Sequence, residues 1–225
     1  MSRFRASVLV FDLDGTLVHS GPDLAVAANR MLESLGLDQH EDEVIFNWLG
    51  NGAARLVQRA LTGSAEGDPD AALFEIGFGR FMEFYREGLC VRSTLYPHVE
   101  RVLDVFKSSG FRLACLTNKP EKFTTPILRA LELDRYFELV VAGDSLPVKK
   151  PDPLPLYHIF ERMGVPISSG VMVGDSVSDI HAAQAAGMPV ICVSFGYNQG
   201  LDLTKANPDA IIDSFADLSE LIELI

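Results

Sequence analysis

The run Val8-Leu9-Val10-Phe11 carries no polar residue on either alternation, so it reads as a strand buried on both faces. It ends abruptly in Asp12-Leu13-Asp14-Gly15-Thr16, two carboxylates two positions apart followed by a glycine and a hydroxyl. Open α/β sheets bind ligands just beyond the carboxyl ends of their strands. Two crowded acids at such a place cost free energy unless a cation or a proton compensates them.

After Thr16 the pattern changes from strand to helix. Leu24, Ala27, Ala28, Met31, Leu32 and Leu35 share one helical face, and further helical stretches are predicted around Glu41–Leu49, at Ala53–Leu61 and at Ala71–Glu87, with a polar loop from Thr62 to Pro69. From about Ser93 strands and helices alternate. Strands are predicted at Phe111–Leu116, Glu138–Ala142, Val171–Val173, Val190–Val193 and Ala210–Ile212, and helices at His98–Ser109, Glu121–Leu131, Leu154–Met163 and Asp179–Ala186, with a terminal helix closing the chain. Strands separated by helices of this length imply a parallel sheet with right-handed crossovers. The expected fold class is α/β, a Rossmann-like parallel sheet flanked by helices over residues 1–17 and 93–225. An all-helical cap subdomain is expected as an insertion at 18–92.

At 225 residues the chain has material for one large domain or two modest ones. Lys plus Arg total 19 against 31 Asp plus Glu, and the formal charge of −12 argues against broad contact with nucleic acid or an anionic membrane surface. An anionic small ligand must then meet locally placed lysines, amides or a metal. Cys90, Cys115 and Cys192 are odd in number and lack Cys-x-x-Cys spacing, which suggests neither a disulfide framework nor a zinc site. The apolar run before Asp12 is too short for the core of a signal peptide, and no run approaches the roughly 18 residues of a membrane span. A cytoplasmic protein is expected.

Polar groups recur just past the predicted strands: Asp12 and Asp14, Thr117 and Asn118, Lys149 and Lys150 before Pro151, and Asp175 with Asp179. Singly, each has an ordinary explanation. Thr117-Asn118 is a strand exit, Lys149 a solvated side chain, and Asp175 or Asp179 a cap for the helix that follows. Together and in this order, Asp12-Leu13-Asp14-Gly15-Thr16, Leu116-Thr117-Asn118, Lys150-Pro151-Asp152-Pro153 and Gly174-Asp175-Ser176-Val177-Ser178-Asp179 resemble the motifs of the haloacid dehalogenase superfamily of phosphotransferases, over essentially the whole chain.

The resemblance implies a role for each residue. Asp12 is the nucleophile that becomes a transient aspartyl phosphate, and Mg²⁺ is held by Asp12, the backbone carbonyl of Asp14 and Asp175. Asp14 protonates the departing alkoxide and then takes a proton from the attacking water. Lys150, rather than Lys149, supplies a point charge to the phosphoryl group and to Asp12, while Thr117 and nearby backbone N–H groups bind the equatorial oxygens. Asn118 supports this arrangement, and Asp179 orients Lys150 or a metal-bound water unless it simply caps its helix.

Asp14 argues against the dehalogenase branch and the phosphonate-cleaving branch, both of which lack an acid at that position. Three stretches resemble the bacterial phosphoglycolate phosphatases: Gly21-Pro22-Asp23-Leu24, Trp48 to Ala53 followed by Leu56 to Leu61, and Gly143 to Pro151. His19-Ser20 departs from the Asp-Ser pair often found there. Within the cap, Asn51, Gly52 and Arg55 are candidates for binding a substrate carboxylate, although Gly50-Asn51-Gly52 also reads as a helix-joining turn and Arg55 as a surface residue. The expected partner is a small phosphorylated metabolite, either 2-phosphoglycolate or another such as a sugar phosphate, with no nucleic acid and no membrane, and the chain is expected as a monomer or homodimer. A non-enzymatic phospho-acceptor resembling receiver domains is the alternative of a different class; receivers have no helical insertion of this size.

Overall fold

In the computed structural model, which describes residues 4–198 and 201–225, β1 (Phe4–Ala6), β2 (Val8–Phe11) and β3 (Val18–His19) lead into α1 (Gly21–Ser34), α2 (Asp42–Phe46), α3 (Ala53–Thr62) and α4 (Ala71–Glu87). There follow β4 (Thr94–Leu95), α5 (Val99–Ser108), β5 (Arg112–Leu116), α6 (Glu121–Ala130), β6 (Leu139–Val141), α7 (Leu154–Met163), β7 (Gly170–Gly174), α8 (Val177–Ala186), β8 (Val190–Val193), β9 (Ala210–Ile212), α9 (Leu218–Leu221) and β10 (Ile222–Leu224).

Six of these strands form a parallel sheet in the order β6-β5-β2-β7-β8-β9. β2 lies inside it, with Phe11 opposite Cys115 of β5 on one side and Val173 of β7 on the other. Every β2 residue is buried, as the uninterrupted apolar run requires. Val8 and Val10 join Ala114, Leu116, Met172 and Val190 on one face, covered by Leu156, Ile159 and Phe160 of α7 and Ile180 and Ala183 of α8. Leu9 and Phe11 alternate to the opposite face, where the Phe11 ring lies 5.9 Å from that of Phe215. The chain runs from β2 to the β5 side and later to the β7 side, so the carboxyl end of β2 is the switch point where doubly wound sheets open a crevice.

The end of the chain corrects one expectation. The spacing of Leu218, Leu221 and Ile222 suits a helix, but α9 has four residues and then gives way to β10, which pairs in parallel with β1 from Phe4↔Ile222 to Ala6↔Leu224. The exchange satisfies backbone groups of β1 that would otherwise face no partner.

The chain forms two compact units, Met1–His19 with Leu95–Ile225, and Ser20–Thr94. In the first, the Tyr96 N–H donates to the Leu17 carbonyl at 3.0 Å, so the points where the chain leaves and re-enters this unit adjoin. The second consists mainly of α1 to α4. Its two ends are joined by a buried carboxylate: Asp23 accepts from the Arg92 N–H at 2.7 Å and the Ser93 N–H at 2.9 Å. No described helix is long and apolar enough to cross a membrane.

Candidate active site

Three neighbouring strands deliver the predicted polar groups to one end of the sheet. Asp12 follows β2, Thr117 follows β5, and Asp175 follows β7. Beyond Asp12 the chain turns tightly, with the Gly15 N–H donating to the Val18 carbonyl at 2.9 Å. Gly15 has φ +88°, and a Cβ there would stand 2.1 Å from Asp175 Oδ2, so both its backbone conformation and the approach of Asp175 require glycine. Gly196 closes the other side of the same carboxylate; a Cβ would lie 2.4 Å from Oδ2 and 2.5 Å from the Gly15 carbonyl oxygen.

Asp12, Asp175 and Asp179 are all buried, and one carboxylate oxygen from each falls within 4.8 Å of the others. Asp175 accepts from the Thr16 hydroxyl at 3.1 Å and from the Tyr197 N–H at 2.6 Å. Lys150 Nζ stands 2.8 Å from Asp12 Oδ1 and 2.6 Å from Asp179 Oδ1, and donates to the Leu116 carbonyl at 2.8 Å. Its contact with Asp12 pairs charges without hydrogen-bond alignment, so Asp12 Oδ1 is a buried oxygen with no hydrogen-bond partner.

One lysine does not neutralise this cluster. Burial pushes the Asp12 carboxyl up to about 7, with Lys150 opposing and Asp179 reinforcing the rise. Burial, then the charges of Asp12 and Asp179, likewise raise the Asp175 carboxyl well above the usual range. For Lys150, burial alone would lower the ammonium, but Asp12 and Asp179 reverse that and keep it protonated. The unsatisfied Asp12 oxygen and the doubly raised acids fit a site that could hold a hard divalent cation.

The structure brings Asp12, Asp14, Thr117, Lys150, Asp175 and Asp179 together in the first unit. Lys149 is exposed. Asp179 unites its two suggested roles. Its Oδ1 meets Lys150, and its Oδ2 accepts from the Ser176 N–H at 3.0 Å and the Ser176 hydroxyl at 2.6 Å, completing a capping box at the start of α8. With both oxygens engaged, Asp179 is a weaker candidate for metal ligation than Asp12. Asn118 braces the same region, its amide donating to the Lys150 carbonyl at 2.9 Å.

Two participants are not among the predicted residues. Lys119, 9% exposed, places Nζ 2.8 Å from each oxygen of Asp14, and Tyr197 supplies the backbone N–H on Asp175. The available signal for Lys119 was its position two residues after Thr117. For Tyr197 there was none, because its contribution is a main-chain group.

The other predicted residues lie in the helical unit. Asn51 and Gly52 are exposed before α3, Gly52 with φ +85°. Arg55 is tied to the loop that follows α3, donating to the Ala65 and Gly67 carbonyls at 3.1 and 3.2 Å and to Asp68 Oδ1 at 3.1 Å.

Residues 9–193 match the family model of the haloacid dehalogenase-like hydrolases. The chain belongs to that family. A protein of Nitrosospira multiformis named phosphoglycolate phosphatase is 46% identical over 215 residues, covering 96% of this chain and 95% of that relative. A crystal structure described as a predicted phosphoglycolate phosphatase from Haemophilus somnus superposes with a TM-score of 0.88 at 39% identity, covering 96% of this chain and 97% of that one. CbbY from Rhodobacter sphaeroides, solved in complex with phosphate, superposes with a TM-score of 0.76 at 25% identity over 95% and 96% of the two chains. These likenesses support hydrolysis of phosphoric monoesters as the enzyme class of this haloacid dehalogenase-like hydrolase.

Proposed function

We propose that this enzyme hydrolyses 2-phosphoglycolate to glycolate and inorganic phosphate in the cytoplasm, through an aspartyl phosphate formed on Asp12. The observation that carries the reading is a buried Asp12 oxygen, without a hydrogen-bond partner and beside Lys150, in a chain 46% identical to a phosphoglycolate phosphatase. Mg²⁺ is the proposed cofactor, held by Asp12, Asp175 and the Asp14 carbonyl. When bound it neutralises charge between the phosphoryl group and the attacking carboxylate.

In the first step an Asp12 oxygen forms a bond to phosphorus as the ester P–O bond breaks, and Asp14, having taken up a proton from solvent before this step, gives it to the departing glycolate oxygen. In the second, Asp14 takes a proton from water, the water oxygen bonds to phosphorus, and Asp12 leaves as a carboxylate. Lys150 presents fixed positive charge to Asp12 throughout. The Thr117 hydroxyl accepts from the Lys119 N–H at 3.1 Å, so its own proton is available to a phosphoryl oxygen. The helical unit is the proposed cap, with Asn51 and Gly52 its candidate substrate-binding residues and Arg55 holding the adjacent loop.

The test is a panel of phosphate esters assayed with Mg²⁺ and with chelator. The largest kcat/KM is expected for 2-phosphoglycolate, and activity is expected to vanish with chelator and in Asp12→Asn. A sugar phosphate favoured over 2-phosphoglycolate would overturn the substrate, and an active Asp12→Asn would overturn the nucleophile.

A further inference from the structure

We propose that Lys119 is a specificity-determining residue that binds an anionic group on the leaving alcohol, exchanging Asp14 for a substrate carboxylate; this rests on the reading of Asp14 as the group that meets the leaving oxygen. Lys119 Nζ lies 2.8 Å from both Asp14 oxygens, and the two side chains are 7% and 23% exposed. Asp14 is therefore the more exposed member of the pair and Lys119 the more buried.

The lysine is held from several sides. Its N–H donates to Thr117 Oγ1, and its carbonyl accepts from the Gly143 N–H at 2.9 Å and from the Thr124 hydroxyl at 3.1 Å. Pro120 follows as the N-cap residue of α6, and its ring limits backbone motion further. Lys119 is thus a preorganised, nearly buried cation rather than a solvated side chain. Lys150, the other buried lysine of this site, is committed to Asp12, Asp179 and the Leu116 carbonyl.

A leaving oxygen hydrogen-bonded to Asp14 lies within two hydrogen-bond lengths of Lys119 Nζ. A carboxylate on the neighbouring carbon of the alcohol spans that gap. Its arrival gives the ammonium an anion to replace Asp14 and turns the Asp14 carboxyl toward the ester oxygen. An ester with a neutral alcohol offers no replacement, so Asp14 stays on the lysine. The selected class is therefore short phosphate esters bearing an acid group beside the ester carbon. This selection uses the core itself, in an otherwise acidic chain of formal charge −12.

The test compares 2-phosphoglycolate with ethyl phosphate, which has the same chain length without the acid, in wild type, Lys119→Met and Lys119→Arg. In Lys119→Met the ratio of kcat/KM for the two esters is expected to fall by about 10- to 100-fold, the scale of a charge-assisted hydrogen bond, with most of the change in KM for the acid. Lys119→Arg should retain much of the wild-type ratio. Equal losses on both esters would reduce Lys119 to a positioning residue for Asp14 and overturn the proposal, as would an unchanged ratio. If Lys119→Met does not fold, Lys119→Gln is expected to lower the ratio on the same scale, and an unchanged ratio in that variant overturns the proposal. A wild type that prefers ethyl phosphate would instead refute the phosphoglycolate reading itself.

Discussion

Replacing the nucleophile should stabilise the metal-free protein. Asp12 is 8% exposed and shares a small volume with Asp175 and Asp179. Its carboxyl is displaced from 3.8 to about 7, mainly by burial, which is worth about 4 kcal/mol against folding once the group is ionised. The sign follows from proton binding. The native state holds this proton above 3.8 while the unfolded state has released it, so stability is full below that value, falls as pH rises toward about 7, and levels off above. Asparagine keeps the shape and removes the charge, and Lys150 keeps Asp179 as a partner at 2.6 Å. In Asp12→Asn a gain of about 2–4 kcal/mol is expected at pH 8 in EDTA. Urea unfolding followed by intrinsic fluorescence measures it. Saturating Mg²⁺ should raise wild type more than the variant and narrow the gap, because a ligand that binds only the native state stabilises it by mass action. A variant less stable than wild type in EDTA at pH 8 would refute the reasoning, since Lys150 would then already neutralise the cluster.

Lys150→Met should have the opposite effect, losing about 3–5 kcal/mol in the same assay, because Asp12 and Asp179 are left buried without their cation. Phosphatase activity should disappear with it, and a stable, active variant would contradict the assignment. Gly196→Ala puts a methyl 2.4 Å from Asp175 Oδ2 and must move that carboxylate; a rise in the Mg²⁺ concentration needed for half-maximal rate is expected, and an unchanged metal titration would show that the contact is easily relieved.

Legibility differed by type of interaction. The apolar runs at Val8–Phe11 and Val190–Val193 announced buried parallel strands because both faces of such strands are covered, and the acids that follow Phe11 stood out against the first of them. Lys150 was distinguishable from Lys149 only through the family motif before Pro151; its burial and pairing confirm that the two lysines occupy different environments. The Lys119–Asp14 pair joins residues far apart in the chain, which no local periodicity reports. β10 was obscured because three residues carry too little pattern to distinguish a strand from the end of an apolar helix.

The sequence by itself determined which segments must be buried, and therefore a parallel sheet with an inserted helical block, since apolar patterning is a local property of the chain. It also placed carboxylates where strands end. The tertiary structure decided which charges meet. It gave Asp179 both a helix cap and a lysine, set Lys119 on Asp14, bound Arg55 to a loop and brought the Tyr197 N–H to Asp175. Ion pairs and close backbone approaches depend on positions within a few tenths of an ångström, and only the packed sheet and its crossing loops fix those.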